Sequence, residues 1–501
     1  MNPNDKSLNS IILKASSYMG AASSLNLIFG LIRVKVAAIF IGVGGVGLLT
    51  NYRVIQTFIG SVIGLGVRQS AVRDIAESIS KKDENIVSET IISLRILVFF
   101  LGLIGALLIF LFSSKISFFM FSSYEYSVQI ALLGFAVFFA NLTGGQLALI
   151  QGMGETKKLA LFNVISGFFN LILSTIFFIY YGMEGILPSI IGISVVEYLL
   201  AILILKKIPY KKCYLSLKSF IIRTKIMINL GFSFMITSLG ASFLAILINS
   251  LITKEISLDS VGIYAAATAL TAISINFILN AMSADFYPRL TSLINNNEKA
   301  IDLINKQTEI GICIVLPGLF ATAALADFLV YLFYSQEFMA ASIIMPLLVL
   351  ACLPRIISWP LAYIMLAKAA SKSIILTEIF LSVINFILVY LLIERIGIWA
   401  PVLGVLFVRL LHIAITYIIG KKLINFYWSQ RLQTIIFISI ISLAIYIGAI
   451  YLLPNEIKIV FGMLLSLIVL FLCIKNISNI VELSGIYRKL LAKIPFMNKS
   501  L

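Results

Sequence analysis

Long apolar runs recur along almost the whole chain, each near the roughly 20 residues that a helix needs to cross a bilayer. Fourteen can be marked, from 15–40 and 48–70 at the start to 432–453 and 457–475 at the end. In hydrocarbon every backbone amide must find its partner within the segment, so such runs become helices or closed barrels, and unbroken apolarity without period-two alternation selects helices. The sequence therefore predicts an all-α polytopic membrane protein of about fourteen spanning helices. Composition agrees: 60% of the residues are apolar, 12% are charged and the mean hydropathy is +1.06. A soluble fold carries roughly 25% charged residues.

Several functions drop out at once. No G-x-x-x-x-G-K-[ST] segment is present, and Gly154-Glu155-Thr156-Lys157 does not make one, so ATP hydrolysis is not expected. The single histidine, His412, removes most imidazole-based catalysis and metal binding. Cys213, Cys313, Cys352 and Cys473 lack paired spacing, so neither a disulfide framework nor a zinc site is expected. No cofactor, no metal and no enzymatic activity are expected. The first apolar run is long enough to stay as a spanning helix, so no cleavable signal peptide is expected.

The net charge of +16 invites a nucleic-acid reading, but its distribution follows membrane orientation instead. With the N-terminus in the cytoplasm, 28 of the 38 Lys and Arg residues fall in cytoplasmic segments, and Lys115, Lys254, Arg395 and Lys458 fall outside. That asymmetry obeys the positive-inside rule and places both termini in the cytoplasm. Nucleic acid is not needed to explain it.

A shift of 215 residues aligns Val46-Gly47 with Val261-Gly262, Thr156-Lys157 with Ser371-Lys372, Gly182 with Gly397, and Lys206-Lys207 with Lys421-Lys422. Four matches in one ungapped register predict two six-helix lobes in parallel orientation. The N-lobe (helices 1–6) takes 1–205, a basic cytoplasmic linker 206–227, and the C-lobe (helices 7–12) 228–420. Helices 13 and 14 occupy 421–475 outside the repeat, and 476–501 form an amphipathic cytoplasmic tail. Parallel repeats are a transporter architecture with the substrate between lobes.

Charge inside a span is costly and faces a cavity or a partner. Arg33 shares a helix face with Gly20, Ser23, Gly30 and Ala37, and Arg53 heads a stripe through Thr57, Gly60, Ser61, Gly64 and Arg68. Arg355 lies among Pro346, Pro354 and Pro360, which kink their helix. Guanidinium stays charged and forks onto phosphate oxygens, so Arg33, Arg53 and Arg355 are candidates for binding a phosphate or diphosphate head group. Snorkelling to the interface is the alternative for Arg33 and Arg53. Glu197 and His412 occupy equivalent repeat positions, with Arg409 one turn away. They form either a titrating group for coupling or a static interlobe pair. Asp285 is a weaker coupling candidate, because Arg289 one turn on makes it a surface ion pair.

Two segments carry a family resemblance: Ala38-Ile39-Phe40-Ile41-Gly42-Val43-Gly44-Gly45-Val46-Gly47, and Gln151-Gly152-Met153-Gly154-Glu155-Thr156-Lys157-Lys158. The chain resembles the polysaccharide (O-antigen) flippases of the multidrug/oligosaccharidyl-lipid/polysaccharide exporter superfamily over most of its first twelve helices. Gly44-Gly45 replaces the Pro-Glu usual in the first motif, and the extra helix pair is closer to the lipid-II flippase branch. The resemblance implies alternating-access movement of an undecaprenyl-diphosphate-linked glycan across the bacterial inner membrane, with Arg33 and Arg53 best matching the family's cationic cavity. It makes membrane lipids, a polysaccharide polymerase and a chain-length regulator candidate partners. A multidrug exporter of the same fold and a membrane polysaccharide polymerase are the alternatives. The first would want an acidic cavity, and the second a sizeable external loop that this chain lacks.

Overall fold

The protein, seen in a computed structural model that describes residues 3–81, 83–206 and 215–480, is all-helical. Among the described residues there are sixteen α-helices, two short 3-10 turns and no strand. Ten helical stretches are long and apolar enough to cross a membrane. One of them, Thr156–Leu205, holds two helices joined by a 3-10 turn.

The first of two compact units comprises residues 1–265 and 333–337. It contains α1 (Pro3–Phe40), α2 (Gly42–Gly64), α3 (Val67–Ser80), α4 (Glu84–Phe121), α5 (Ser127–Gly152), α6 (Thr156–Tyr181), α7 (Ile186–Leu205) and α8 (Leu217–Glu255). Its core gathers Ala71 and Ile75 of α3, Ile91 and Leu94 of α4, Ala148 and Ile150 of α5, and Ala201 of α7. The second unit comprises residues 266–332 and 338–501. It takes in most of α9 (Leu258–Leu293), then α10 (Asn297–Ala324), α11 (Ala326–Phe333), α12 (Met339–Ala367), α13 (Ser371–Ile396), α14 (Trp399–Ile424), α15 (Gln430–Ile450) and α16 (Asn455–Ile480). Leu319 and Phe320 of α10, Leu353 and Ile357 of α12 and Leu443 of α15 form its core.

The 215-residue register survives in the backbone. Helices α6 and α13 start and stop in register, Thr156 with Ser371 and Tyr181 with Ile396. Each is ended by a glycine in the same conformation, Gly182 at φ 54°, ψ −130° and Gly397 at φ 55°, ψ −131°. The motif pair Gly47 and Gly262 do more than correspond, because they touch. A Cβ on Gly47 would strike the Leu258 carbonyl, and one on Gly262 would strike the Val43 carbonyl, its counterpart in the register. Two helices can approach this closely only through residues without side chains.

Three boundaries differ from the sequence expectation. The segment Ala38–Gly47, which bridges the gap between the runs 15–40 and 48–70, is helical except at Ile41, and α2 starts at Gly42 with φ 64°. The run 48–70 breaks at Leu65 (φ 46°) and Gly66 (φ 63°), where Gly231 of α8 packs so close that a Cβ on Gly66 would meet its carbonyl. The run 308–333 breaks at Leu325, and Asp327 in the next helix pairs with Lys458 at 2.6 Å. Of the expected linker 206–227, residues 207–214 lie outside the described residues, and Leu217 onward is already helix, capped by the Ser216 hydroxyl on the Ser219 N–H. The expected tail lies outside the described residues from 481, and 476–480 complete α16.

Candidate functional site

Helix α2 is not among the ten apolar stretches found in the described residues, and several of its polar residues line cavities. Its Arg53, Gln56 and Thr57, with Asn170 of α6 and Ser194 and Glu197 of α7, enclose a cavity of about 250 Å³ in the first unit. Gln56 and Thr57 also open onto a second cavity of about 410 Å³, which descends past Gly60, Ser61 and Gly64 to Arg68. The sequence stripe Thr57, Gly60, Ser61, Gly64 and Arg68 therefore lines this cavity in full. Asn141 of α5 borders the lower cavity and is fixed by donating to the Val98 carbonyl at 2.8 Å.

Arg33 reaches the same region from α1. Its guanidinium donates to the Asn170 Oδ1 at 2.8 Å, and it interacts electrostatically with Arg53 and Glu197. A guanidinium carries five N–H donors in a fixed fork, so one bond to Asn170 holds Arg33 in place without using up its binding capacity. Arg33, Arg53 and Glu197 thus come together, two cations to one carboxylate, on three helices. Lys35, two residues on, donates to the Tyr334 carbonyl instead.

Arg355, Arg409 and His412 lie in the second unit. Arg355 and Arg409 both act electrostatically on Cys352, and the His412 Nδ1 lies 2.9 Å from the Ser358 hydroxyl. Glu197 and His412 fall in different units. Asp285 pairs with Arg289 at 2.9 Å with both side chains about two-thirds exposed, on no cavity described here. Such a pair contributes at most a few tenths of a kcal/mol, about 0.3–0.5 in the helical i, i+4 arrangement.

Sequence reasoning missed Asn170, Gln56 and Ser194. A signal for Asn170 existed: it is a polar residue inside the apolar run 159–180, and the 215 shift pairs it with another asparagine, Asn385. No cluster of three or more His, Cys, Asp and Glu residues that would hold a metal occurs among the described residues.

Comparison with known proteins fits this architecture. A family described as polysaccharide biosynthesis protein matches residues 45–343, more than half of the chain. The lipid III flippases of Escherichia coli and Shigella flexneri are each 21% identical over 381 residues, which is 74% of this chain and 88% of theirs. Among solved structures, the lipid II flippase MurJ in its inward closed conformation aligns with a TM-score of 0.70 at 15% identity, covering 92% of this chain and 98% of MurJ. An inward-facing multidrug resistance MATE family transporter of the MOP superfamily gives a TM-score of 0.69 at 16% identity, covering 82% of this chain and 96% of that one. At these identities the structures establish the fold.

Proposed function

The chain belongs to the polysaccharide biosynthesis protein family, and from that membership we propose that it is a flippase for a lipid-linked oligosaccharide. In this reading it moves an undecaprenyl-diphosphate-linked repeat unit of the O-antigen kind across a bacterial inner membrane, with both termini in the cytoplasm. The observation that carries the reading is the cavity holding Arg53, joined by Arg33 from α1 and continued towards Arg68. A sugar diphosphate cannot enter hydrocarbon, whereas its polyprenyl chain never has to leave it. The cavity supplies the head group with what water supplied: cationic forks for phosphate oxygens, and amide and hydroxyl groups of Gln56, Thr57, Asn170 and Ser194 for sugar hydroxyls. Glu197 offsets part of the positive charge, so the empty site is stable and the phosphate is still attracted. Transport needs two states of access that lie within a few kcal/mol of each other, and no covalent step. The polysaccharide polymerase and chain-length regulator belong to the same proposal as partners.

The superfamily fold is also used by multidrug transporters, but a site for cationic drugs would present carboxylates in excess, and this one presents guanidinium groups. Complementation of cells deleted for their own flippase tests the reading. The wild-type chain should restore surface glycan. Arg53→Ala should cut export at least tenfold and trap the lipid-linked intermediate on the cytoplasmic side, as expected for a lost charge-assisted bond of about 1.5–3 kcal/mol. Full export by Arg53→Ala and Arg33→Ala together would remove the site from the mechanism.

A further inference from the structure

Helices α6 and α7, which line the polar cavity with α2, also form with α1 an apolar groove of about 830 Å³ further along their length. Leu25 of α1, Leu161 and Val164 of α6 and Leu203 of α7 line it, and Lys157, Lys158 and Tyr18 stand at its mouth. Between groove and cavity the helices close: Asn26 comes against Gly167, and the rings of Phe29 and Phe168 lie 5.9 Å apart. Groove and cavity are therefore two compartments at different depths along α6 and α7.

Helices facing bulk lipid present a convex apolar surface. Here the surface is concave, and its two lysines are not equivalent. Lys158 is paired with Glu155 at 3.1 Å, whereas Lys157 is exposed and lies 5.9 Å from the Tyr18 ring centre, which fixes the side chain without neutralising it. A concave apolar channel with an uncompensated ammonium at one end complements a molecule with a long hydrocarbon chain and an anionic terminus.

We propose that this groove is a docking site for the polyprenyl diphosphate end of the substrate before its head group enters the polar cavity. The chain lies along Leu161 and Leu203, and the diphosphate sits on Lys157 at the membrane surface. The proposal rests on the flippase reading above for the identity of the lipid, and its site is separate from the arginine cavity. Lys157 and Lys158 belong to the basic segment after α5, so the reading places the mouth at the cytoplasmic leaflet, where such a lipid is loaded.

The test is equilibrium binding of C55 polyprenyl diphosphate to the full chain in phosphatidylcholine nanodiscs. Lys157→Glu should weaken binding at least fivefold, and Lys157→Arg should bind as the wild type does. Leu161→Trp, at a half-exposed position where folding tolerates bulk, should weaken binding by filling the groove. Unaltered affinity in both Lys157→Glu and Leu161→Trp overturns the proposal. So does equal competition by phosphatidylglycerol, which would make the groove a general anionic-lipid site, and so does a wild-type chain that does not bind the probe. Failure of the flippase reading looks different: wild-type protein that binds the probe through Lys157 yet restores no glycan in cells.

Discussion

At the scale of single residues, a guanidinium inside an apolar helix is held by one neutral amide: Arg33 donates to the Asn170 Oδ1 at 2.8 Å. Arginine within an apolar run stands out because its burial demands a reason; Arg53 lines a polar cavity of the first unit, and Arg33 donates to Asn170 of the same lining. What fixes Arg33 is Asn170, 137 positions away, and no local pattern encodes that distance. Replacing Asn170 by Leu keeps the branched shape of the side chain and removes the acceptor, leaving the half-buried guanidinium without that partner. Transport by Asn170→Leu should fall at least threefold while the protein folds normally, and Asn170→Asp should retain Arg33 but lose affinity for an anion by cancelling its charge. Reconstituted flipping of a fluorescent lipid-linked sugar, with Tm as the folding control, separates the two. Equal activity in both variants would make Asn170 a packing residue.

At the scale of elements, apolar runs located the helices well and missed where they break. The break inside 48–70 arises from a contact with α8, whose Gly231 carbonyl occupies the space over Gly66. Only the sequence Gly66 hints at it, and one glycine in a membrane helix is unremarkable. Gly182 also has positive φ but faces open space. The two positions therefore separate backbone strain from collision. Gly182→Ala should cost only the left-handed backbone term, about 1–3 kcal/mol. Gly66→Ala adds displacement of α8, for which overpacking costs a further ~1–3 kcal/mol. Thermal unfolding in detergent should rank Gly66→Ala below Gly182→Ala, and equal midpoints would show that α8 yields freely. The repeat, by contrast, was legible at element scale, because Gly182 and Gly397 end matching helices for the same backbone reason and Gly47 and Gly262 are required by their mutual contact.

At the scale of the molecule, the repeat keeps the ends of α6 and α13 in register and changes its charge. The shift of 215 replaces Arg33 by Ile248 and Arg53 by Thr268, and turns Ser194 into Arg409 and Ala140 into Arg355. Both Ser194 and Ala140 line cavities of the first unit, so a shared framework carries different chemistry in each half. Within the second unit the pair α15 and α16, outside the repeat, makes two charged contacts with earlier helices: Lys458 of α16 with Asp327 of α11, and a junction at Arg431 of α15. The Arg431 guanidinium pairs with Glu309 of α10 at 2.8 Å and donates to the Asn476 Oδ1 of α16 at 2.8 Å. Glu309 is only 8% exposed and Arg431 half exposed, so the cost of breaking the pair falls on the buried carboxylate. Arg431→Met should destabilise the protein by at most about 3–5 kcal/mol, the range for a buried pair that loses one partner, reduced here by the solvent that reaches Arg431. Glu309→Gln removes the charge that needed compensation and should cost less. The double variant Glu309→Gln/Arg431→Met should be more stable than Arg431→Met alone, a non-additivity that a double-mutant cycle on Tm reads directly. If the two substitutions simply add, the junction is not what holds α15 and α16, and the packing of α16 along α10, where Ser466 donates to the Pro317 carbonyl at 2.9 Å, holds them instead.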